Sequence, residues 1–276
     1  MKFKYPLFVF ISYFIFGSMG IFTRLTGQNG IIIASAVSLF SAFAFLIWLN
    51  AKEFKGIFKD KFWFLVLIGI LGAANNSLYF FAFNLTTISN AAFLHYLAPP
   101  IVLVLSLIFL KEKFTWKSFL AIVIATIGLI FILGKPTFSS METIGNLFAI
   151  GSAISYAISF ILYKKAFEHF NFKQILFMQM LVTFVIFSPF LFMNIFTITP
   201  MAWGCLLIVG LIHQFAAPAL QFQGLKIMQA TTVSIIGYTE IFFAVIFAWL
   251  VFSEVLTIPT LIGGVLIIFA SYLALK

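Results

Sequence analysis

The sequence predicts an all-α membrane protein with ten transmembrane helices arranged as two inverted-topology five-helix repeats. Composition is the first reason: of the 276 residues, 63% are hydrophobic and 8% are charged, whereas a soluble domain has about 25% charged residues. The second reason is that the apolar residues fall in blocks of about 20, enough for a helix to cross about 30 Å of hydrocarbon. The third is an internal repeat at an offset of 142 positions.

The apolar blocks define ten predicted spans. They cover residues 6–24, 31–50, 62–82, 89–110, 116–134, 144–163, 173–193, 201–221, 231–252 and 258–275. The connections between them are short, so consecutive helices are expected to run antiparallel. No stretch between spans is long or polar enough to form a separate soluble domain.

The internal repeat is clearest between residues 86–115 and residues 228–257. Both segments begin with small and hydroxyl residues, continue as a long apolar run, and end at a Glu followed three residues later by a Thr. The offset aligns Tyr96 with Tyr238, Glu112 with Glu254, and Thr115 with Thr257. We therefore divide the chain into a first repeat, 1–136, and a second repeat, 137–276. A repeat of about half the chain is typical of many secondary transporters.

The lysines predict how the helices are oriented in the cytoplasmic membrane. With the N-terminus inside, all of the 16 Lys and Arg residues fall on the inner side except Arg24 and Lys135. Cytoplasmic loops carry an excess of Lys and Arg, so both termini are expected in the cytoplasm. The inner set is Lys2, Lys4, Lys52, Lys55, Lys59, Lys61, Lys111, Lys113, Lys117, Lys164, Lys165, Lys173, Lys226 and Lys276. Because each repeat has an odd number of spans, the second repeat enters the membrane from the opposite side.

Several other classes of protein do not fit the sequence. The net charge of +9 does not indicate nucleic-acid binding, because the lysines lie in loops between spans rather than on one face. The single cysteine, Cys205, cannot form an internal disulfide, and three scattered histidines do not match a zinc site. No Gly-rich phosphate loop with a Lys-Ser/Thr pair is present, so ATP is not expected. We expect no enzyme activity, cofactor, metal or obligate protein partner.

Each half also ends in a helix, a Glu-x-x-Thr turn and a further helix. This pattern resembles the EamA domains of the drug/metabolite transporter (DMT) superfamily, and it is carried by residues 91–99, Lys111-Glu112-Lys113, 238–241 and Ser253-Glu254. The resemblance implies ten helices in two inverted repeats and a central cavity lined mainly by spans one, three, four, six, eight and nine. It also implies export, or sometimes uptake, of small metabolites such as amino acids. In one departure from the family pattern, Ile241 rather than Pro follows Glu240, which predicts less kinking in span nine than at Pro99-Pro100 in span four.

Glu240 is the acidic residue predicted to lie closest to the middle of the membrane. An ionised carboxylate there costs about 2.5–3.5 kcal/mol on insertion scales, so Glu240 should be paired, wetted by a cavity, or neutral. Either it binds a substrate amine or a proton, or it makes a structural hydrogen bond. His95 shares a helix face with Ala98, which aligns with Glu240, so His95 and Glu240 are expected to face one cavity and exchange a proton. The alternative for His95 is a hydrogen-bonded packing residue.

The other candidate substrate-binding residues are polar or aromatic side chains within spans three, four, six, eight and nine. They are Asn75, Asn76, Tyr79, Tyr96, Tyr156, Gln214, Gln221 and Tyr238. Amides and phenols suit a zwitterion or an aromatic amide, and aromatic rings suit planar or cationic solutes. The alternatives are packing and interhelical hydrogen bonds, which contribute about 0.6 kcal/mol each in membranes. Tyr96 and Tyr238 are equivalent under the repeat, so both or neither should face the centre.

Four charged residues near span ends have structural interpretations. Arg24 and Lys164 are expected to be ordinary span-end cations that extend toward the membrane interface. Glu112 and Glu254 are expected to cap or tie the turns that follow them.

Together these residues predict a secondary transporter that exports amino acids or similar small amphiphiles by alternating access. Proton coupling would run through Glu240 and His95; transport without coupling is the alternative. Another alternative is a multidrug, nucleoside or cofactor permease of the same fold. A membrane-embedded lipid enzyme fits less well, because it needs paired carboxylates or a His/Asp cluster near the headgroups, and the interfacial acids are scattered over both sides.

Overall fold

The computed structural model describes residues 4–58, 60–86, 88–134, 143–253 and 255–276. Within these residues the protein is helical and has no β-strand. Two π-helical segments, Ser106–Leu110 and Val209–Ala216, and a 3₁₀ turn at Ile195–Thr197 interrupt or end helices. The α-helices are α1 Lys4–Thr26, α2 Gly30–Trp48, α3 Ala51–Ile57, α4 Phe62–Leu85, α5 Ile88–His95, α6 Ala98–Leu105, α7 Trp116–Leu133, α8 Thr143–Ala166, α9 Phe172–Asn194, α10 Pro200–Ile208, α11 Ala217–Ile227, α12 Ala230–Gly237, α13 Thr239–Phe252 and α14 Ile258–Ala274. The predictions for Lys2, Lys59, Lys135 and Glu254 fall outside the described residues.

The helices of the described ranges are long and apolar enough for a polytopic membrane protein. Nine segments qualify as membrane spans: α1, α2, α4, α5–α6 with the following π-helix, α7, α8, α9, α10–α11 and α12–α13. α14 is also apolar but shorter, with 17 residues. The predicted all-α membrane fold is confirmed, and the segments coincide closely with the predicted spans. The inverted relation between the two halves stays a prediction.

Polar caps in the short connections determine where several helices begin. Asn50 and Glu53 form a reciprocal capping box at the start of α3, and Asn171 and Gln174 form another at the start of α9. The two boxes are linked, because Asn171 Nδ2 donates to Glu53 Oε1 over 2.9 Å. Each box satisfies backbone N–H groups that a helix start leaves without partners. The connection between α2 and α4 is thereby tied to the start of α9.

Lysines from separate connections lie together at one end of the helix bundle, which we call the lysine-rich end. Their contacts join connections that are far apart in sequence: Lys61 with His169, Lys173 with Glu53, Lys117 with the Lys276 carbonyl oxygen, and Lys164 with the carbonyl oxygens of Leu225 and Met228. Alternate connections therefore meet at the same end, as expected of helices that each cross the bundle once.

The packing of the helices repeats between the two halves. α2 packs against α9 and α7 packs against α14, so the second and fifth spans of each half contact their counterparts. α1 packs against α11 and α13, while α8, the first span of the second half, packs against α4 and α6. The first span of each half therefore packs against the third and fourth spans of the other half. A two-fold axis relating the halves would produce this pairing.

Main-chain atoms of the two halves also come close to each other. A Cβ atom added at Gly128 on α7 would lie 2.7 Å from the Gly263 carbonyl oxygen on α14, and one added at Gly263 would lie 2.5 Å from the Gly128 carbonyl oxygen. The Tyr238 hydroxyl donates to the carbonyl oxygen of its repeat mate Tyr96 over 3.0 Å. The halves therefore approach closely both along the α7–α14 crossing and beside Tyr96.

Candidate functional site

A cavity of about 220 Å³ lies between the two halves. Its wall is built from α1, α4, α5, α6, α8, α9, the π-helix Val209–Ala216, α11, α12 and α13. Nine of the ten candidate residues from the sequence line it: Asn75, Asn76, Tyr79, His95, Tyr96, Tyr156, Gln214, Gln221 and Glu240. The structure therefore brings polar side chains from both halves of the chain together in one cavity.

Tyr238 is the candidate residue that the structure does not place in the cavity wall. Its side chain is fully buried beside the cavity, and its hydroxyl lies 3.0 Å from the Tyr96 carbonyl oxygen and 3.5 Å from Thr126 Oγ1 on α7. Tyr96 faces the cavity, whereas its repeat mate does not. The expectation that both or neither would face the centre is not met, because the Tyr238 hydroxyl is directed to the Tyr96 carbonyl oxygen and Thr126 instead.

Breaks in spans four and nine position the charged centre of the cavity. α5 ends at His95 and α6 begins at Ala98; α12 ends at Gly237 and α13 begins at Thr239. In span nine the interruption is the single residue Tyr238, whose backbone stays right-handed helical, and it occurs without the proline that the family pattern often has there. Glu240 follows in the first turn of α13.

Four tyrosines line the same cavity as Glu240. Tyr13, Tyr79, Tyr96 and Tyr156 all lie close enough to experience the charge of the Glu240 carboxylate, and the Tyr96 side chain is its hydrogen-bonding neighbour. We call these four residues the tyrosine cage. A carboxylate and several aromatic rings in one cavity can offer a cation both ion pairing and cation–π attraction.

Hydrogen bonds hold part of the tyrosine cage in place. Gln221 Nε2 donates to the Tyr13 hydroxyl over 2.7 Å, and the Tyr13 and Tyr156 hydroxyl oxygens lie 3.4 Å apart. Gln221 and Tyr13 are both buried. The cage thus joins α1, α8 and α11, which belong to different halves.

His95 lies against the same cage. Its ring centroid is 4.3 Å from that of Tyr79 and 5.5 Å from that of Tyr156. His95 Nδ1 lies 2.8 Å from Ser152 Oγ, which donates its own proton to the Ala149 carbonyl oxygen over 2.7 Å. The Ser152 oxygen must therefore accept from Nδ1–H, which leaves Nε2 of a neutral His95 ring as the proton acceptor.

Tyr96 connects the two titratable groups of the site. Its ring packs edge-on against His95 with centroids 5.6 Å apart, and it is also the hydrogen-bonding neighbour of Glu240. A phenol can both donate and accept a hydrogen bond, and this one is a neighbour of both the carboxyl group and the imidazole.

The formal charge on the described cavity wall is negative. Among the described residues that line it, Glu240 is the acid, and there is no Lys or Arg. An anionic solute would find no formal positive charge there unless His95 were protonated. The wall therefore favours cationic solutes, or zwitterions whose carboxylate can be met by hydroxyl and amide donors.

Several lining residues were not indicated by the sequence. Most come from α1, α8 and α9, and α9 is not among the spans that the family resemblance implies: Tyr13, Phe16, Met19, Ser159, Phe160, Tyr163, Leu176, Gln179 and Met180. Gln179 did carry a signal, since it is an amide inside an apolar span, the same feature that singled out Asn75. The tyrosines and phenylalanines carried none in a chain with 40 Phe and 8 Tyr residues.

Glu112 has a different partner from the one expected. Its Oε1 accepts from the Ala230 backbone N–H over 2.7 Å, and its Oε2 accepts from the Thr231 hydroxyl over 3.3 Å. Glu112 thus caps the start of α12, whereas Thr115 caps the helix that follows Glu112. The reason is that the fold places the end of span four beside the start of span nine.

The two predicted span-end cations also have partners. Lys164 is partly buried, and its Nζ donates to the carbonyl oxygens of Leu225 and Met228 over 2.9 and 2.6 Å. Together with Glu112 it holds both sides of the α11–α12 connection at the lysine-rich end. The Arg24 guanidinium lies over the Phe252 ring, 4.4 Å from its centroid.

The described residues contain no group of three His, Cys, Asp or Glu side chains that could hold a metal ion.

Proteins of known name share this architecture. A crystal structure at 15% identity superposes with a TM-score of 0.86, covering 99% of this chain and 97% of the other, and shows the fold alone. The pseudopaline exporter CntI of Pseudomonas aeruginosa is 24% identical over 75% of this chain and 72% of its own length. A transporter of Archaeoglobus fulgidus is 30% identical over 69% of this chain and 68% of its own.

An S-adenosylmethionine uptake transporter of Rickettsia prowazekii is 25% identical over 74% of this chain and 68% of its own length. The model of the EamA-like transporter family matches residues 3–134 and again residues 143–276. Since the two matches span almost the whole chain, this multi-pass membrane protein belongs to the EamA-like transporter family.

Proposed function

We propose that the protein is a secondary transporter that exports small amine-bearing metabolites, amino acids or similar amphiphiles, across the cytoplasmic membrane. The observation that carries the proposal is the placement of Glu240 in a central cavity that the tyrosine cage also lines, with no Lys or Arg among the described lining residues. A substrate ammonium group would pair with Glu240 and lie against the tyrosine faces.

The rest of the cavity wall suits the other parts of such a substrate. Asn76, Gln214 and Gln221 supply amide groups, and Phe16 and Phe160 supply apolar surface. The volume of about 220 Å³ is below the range of about 300–1,000 Å³ that is usual for drug-sized ligands. A small metabolite fits this conformation better than a large drug.

Alternating access follows from the relation between the halves. In the proposed topology the two five-helix repeats are inverted, so exchanging their conformations turns an inward-open cavity into an outward-open one. The lysine-rich end is cytoplasmic, with both termini inside. The Glu112 and Lys164 contacts with the α11–α12 connection would close that end and break when it opens.

Proton coupling is proposed to run through Glu240, Tyr96 and His95. The Glu240 carboxylate binds either a proton or the substrate ammonium group, so the two compete for one site. A proton entering from outside would displace the substrate outward, which is antiport. His95 Nε2, free to accept a proton, extends the route beyond the shared neighbour Tyr96.

A permease for a larger cationic cofactor is the second candidate. It is supported by the similarity to a protein named for S-adenosylmethionine uptake, and by a cage whose cation–π attraction does not require an ammonium group in particular. The two candidates differ in substrate and direction, so one assay separates them.

The test is a solute screen on purified protein in proteoliposomes, with and without a pH gradient. The panel contains amino acids, the corresponding amines without the carboxyl group, and S-adenosylmethionine. Glu240→Gln is expected to insert normally but to lose flux or its dependence on the gradient; Glu168→Gln, a side chain 72% exposed, is the matched control. Wild-type flux in Glu240→Gln across a pH series would remove Glu240 from the mechanism.

The proposed orientation is tested separately. The single cysteine, Cys205, is buried, so Cys205→Ala provides a background for introducing a cysteine at exposed Lys55. A membrane-impermeant maleimide is expected to label Lys55→Cys only after the membrane is opened. Labelling in intact cells would place the lysine-rich end outside.

A further inference from the structure

α9 contributes one polar side chain, the Gln179 amide, to the cavity wall. Glycines on α4 let the two helices approach closely: a Cβ atom added at Gly69 would lie 2.5 Å from Val182 Cβ, and one added at Gly72 would lie 3.0 Å from Gln179 Nε2. Any larger residue at position 72 would push into the Gln179 amide. The glycine therefore leaves the room in which Gln179 reaches the cavity wall.

The amide oxygens of Asn75 and Gln179 have no hydrogen-bond partner. Asn75 lies one turn after Gly72 on α4, and both amides line the cavity. Asn75 Oδ1 and Gln179 Oε1 are each inaccessible to bulk solvent and receive no donor within the structure. Buried polar atoms are nearly always hydrogen-bonded, because an unpaired one is costly.

Tyr163 on α8 is a neighbour of the Gln179 side chain. Its side-chain hydrogen-bonding neighbours are Ser159 and Gln179, and it is buried and also lines the cavity. Asn75 Oδ1 and Gln179 Oε1 are thus two acceptors without a donor, on two helices that pack against each other beside the cavity.

We propose that Asn75 and Gln179 form a second subsite, which binds an N–H or O–H donor group of the substrate. The proposal rests on the proposed function and makes it more specific. The substrate class is an amine whose ammonium group binds Glu240 and which carries a second donor, such as a carboxamide or hydroxyl group. A solute with the amine alone would leave both amide oxygens unpaired and bind more weakly.

The test uses two probes that differ only in that donor. L-Leucinamide and L-leucine methyl ester are similar in size and are both amines, but only the amide has N–H donors at its far end. Their binding to wild-type protein in proteoliposomes is compared by competition in the flux assay. Wild type is expected to prefer the amide by roughly tenfold, the discrimination that one or two neutral hydrogen bonds provide.

Gln179→Met and Asn75→Leu are each expected to reduce that preference to about twofold or less while ester binding is retained. Thr183→Val is the matched control: Thr183 lies one turn further along α9, is buried, and has an unpaired hydroxyl, but does not line the cavity. It should keep the wild-type preference. Having two variants on different helices guards against a folding defect in one.

The outcomes distinguish a failure of the subsite from a failure of the proposed transport function. If wild type binds both probes equally, or if both variants keep the preference, the subsite is wrong and water alone satisfies the two oxygens, while transport through Glu240 stands. If neither probe binds and Glu240→Gln changes nothing, the proposed function and the subsite fall together.

Discussion

Replacing Glu112 with alanine is expected to destabilise the protein by about 1.3–4 kcal/mol. The Ala230 N–H, which Glu112 Oε1 accepts over 2.7 Å, belongs to the first turn of α12 and has no intrahelical partner. Ala230 is fully buried, so removing the carboxylate leaves a buried donor unsatisfied, at about 1–3 kcal/mol. Loss of a negative charge at the helix start adds about 0.3–1 kcal/mol.

Glu112→Gln separates these two contributions. The amide oxygen of glutamine can still accept from Ala230, and its amide nitrogen can donate to the Thr231 hydroxyl oxygen in place of the bond that Glu112 Oε2 accepts. The main loss is then the charge, and the expected cost is about 0.3–1 kcal/mol. The free energy of unfolding would be measured by reversible denaturation in mixed detergent–SDS micelles. Glu168→Ala is the matched control, because that carboxylate is 72% exposed and should cost little. If Glu112→Ala costs no more than Glu168→Ala, or if Gln costs as much as Ala, the capping argument is refuted.

Two further predictions concern a helix crossing and a surface carboxylate. Gly263→Ala should lower the free energy of unfolding by about 1–3 kcal/mol, because the added methyl group forces α14 away from α7. Gly204→Ala is the control: no atom lies within 4 Å of its added Cβ, so it should be neutral or stabilising by less than about 1 kcal/mol. Equal effects of the two changes in the same unfolding assay would contradict the close crossing of α7 and α14. The pKa of Glu53 is lowered by the hydrogen bond from the Asn50 backbone N–H and then by Lys173. Because its folded-state pKa is depressed, Glu53 stabilises the protein above the unfolded-state value of about 4.3 and loses this as pH falls through the folded-state pKa. The unfolding free energies of wild type and Glu53→Gln should differ by about 0.2–1 kcal/mol at pH 7 and converge in acid; a gap that widens in acid would reverse the assignment.

The positions of the spans and most of the cavity residues could be read from the sequence for a simple reason. In an apolar membrane helix a polar side chain is costly unless it faces a cavity or a partner, so Asn75, His95, Gln221 and Glu240 stand out. The same reasoning applies to Gln179, which lay in a span that the family resemblance did not place at the cavity. Aromatic residues such as Tyr13 are tolerated on any face of a helix, so their sequence positions say little.

Long-range pairing was the part that local patterns could not supply. Glu112 was expected to cap its own turn, but its partner Ala230 is 118 positions away, and a capping motif identifies only nearby partners. The repeat aligned Tyr96 with Tyr238 but could not decide which one turns toward the cavity. The interruption of span nine before Glu240 lies at Tyr238. No proline marks it in the sequence.

The contact between Gly128 and Gly263 bears on how the two halves are able to move. The carbonyl oxygen of each glycine faces the other glycine directly, and the side chains of Ile132 and Ile267 pack beside them. Such a close-packed crossing leaves little room for the two helices to shift past each other. In a protein that alternates as proposed, the fifth helices of both halves would therefore serve as a stationary spine, and the swinging would fall to the helices around the cavity.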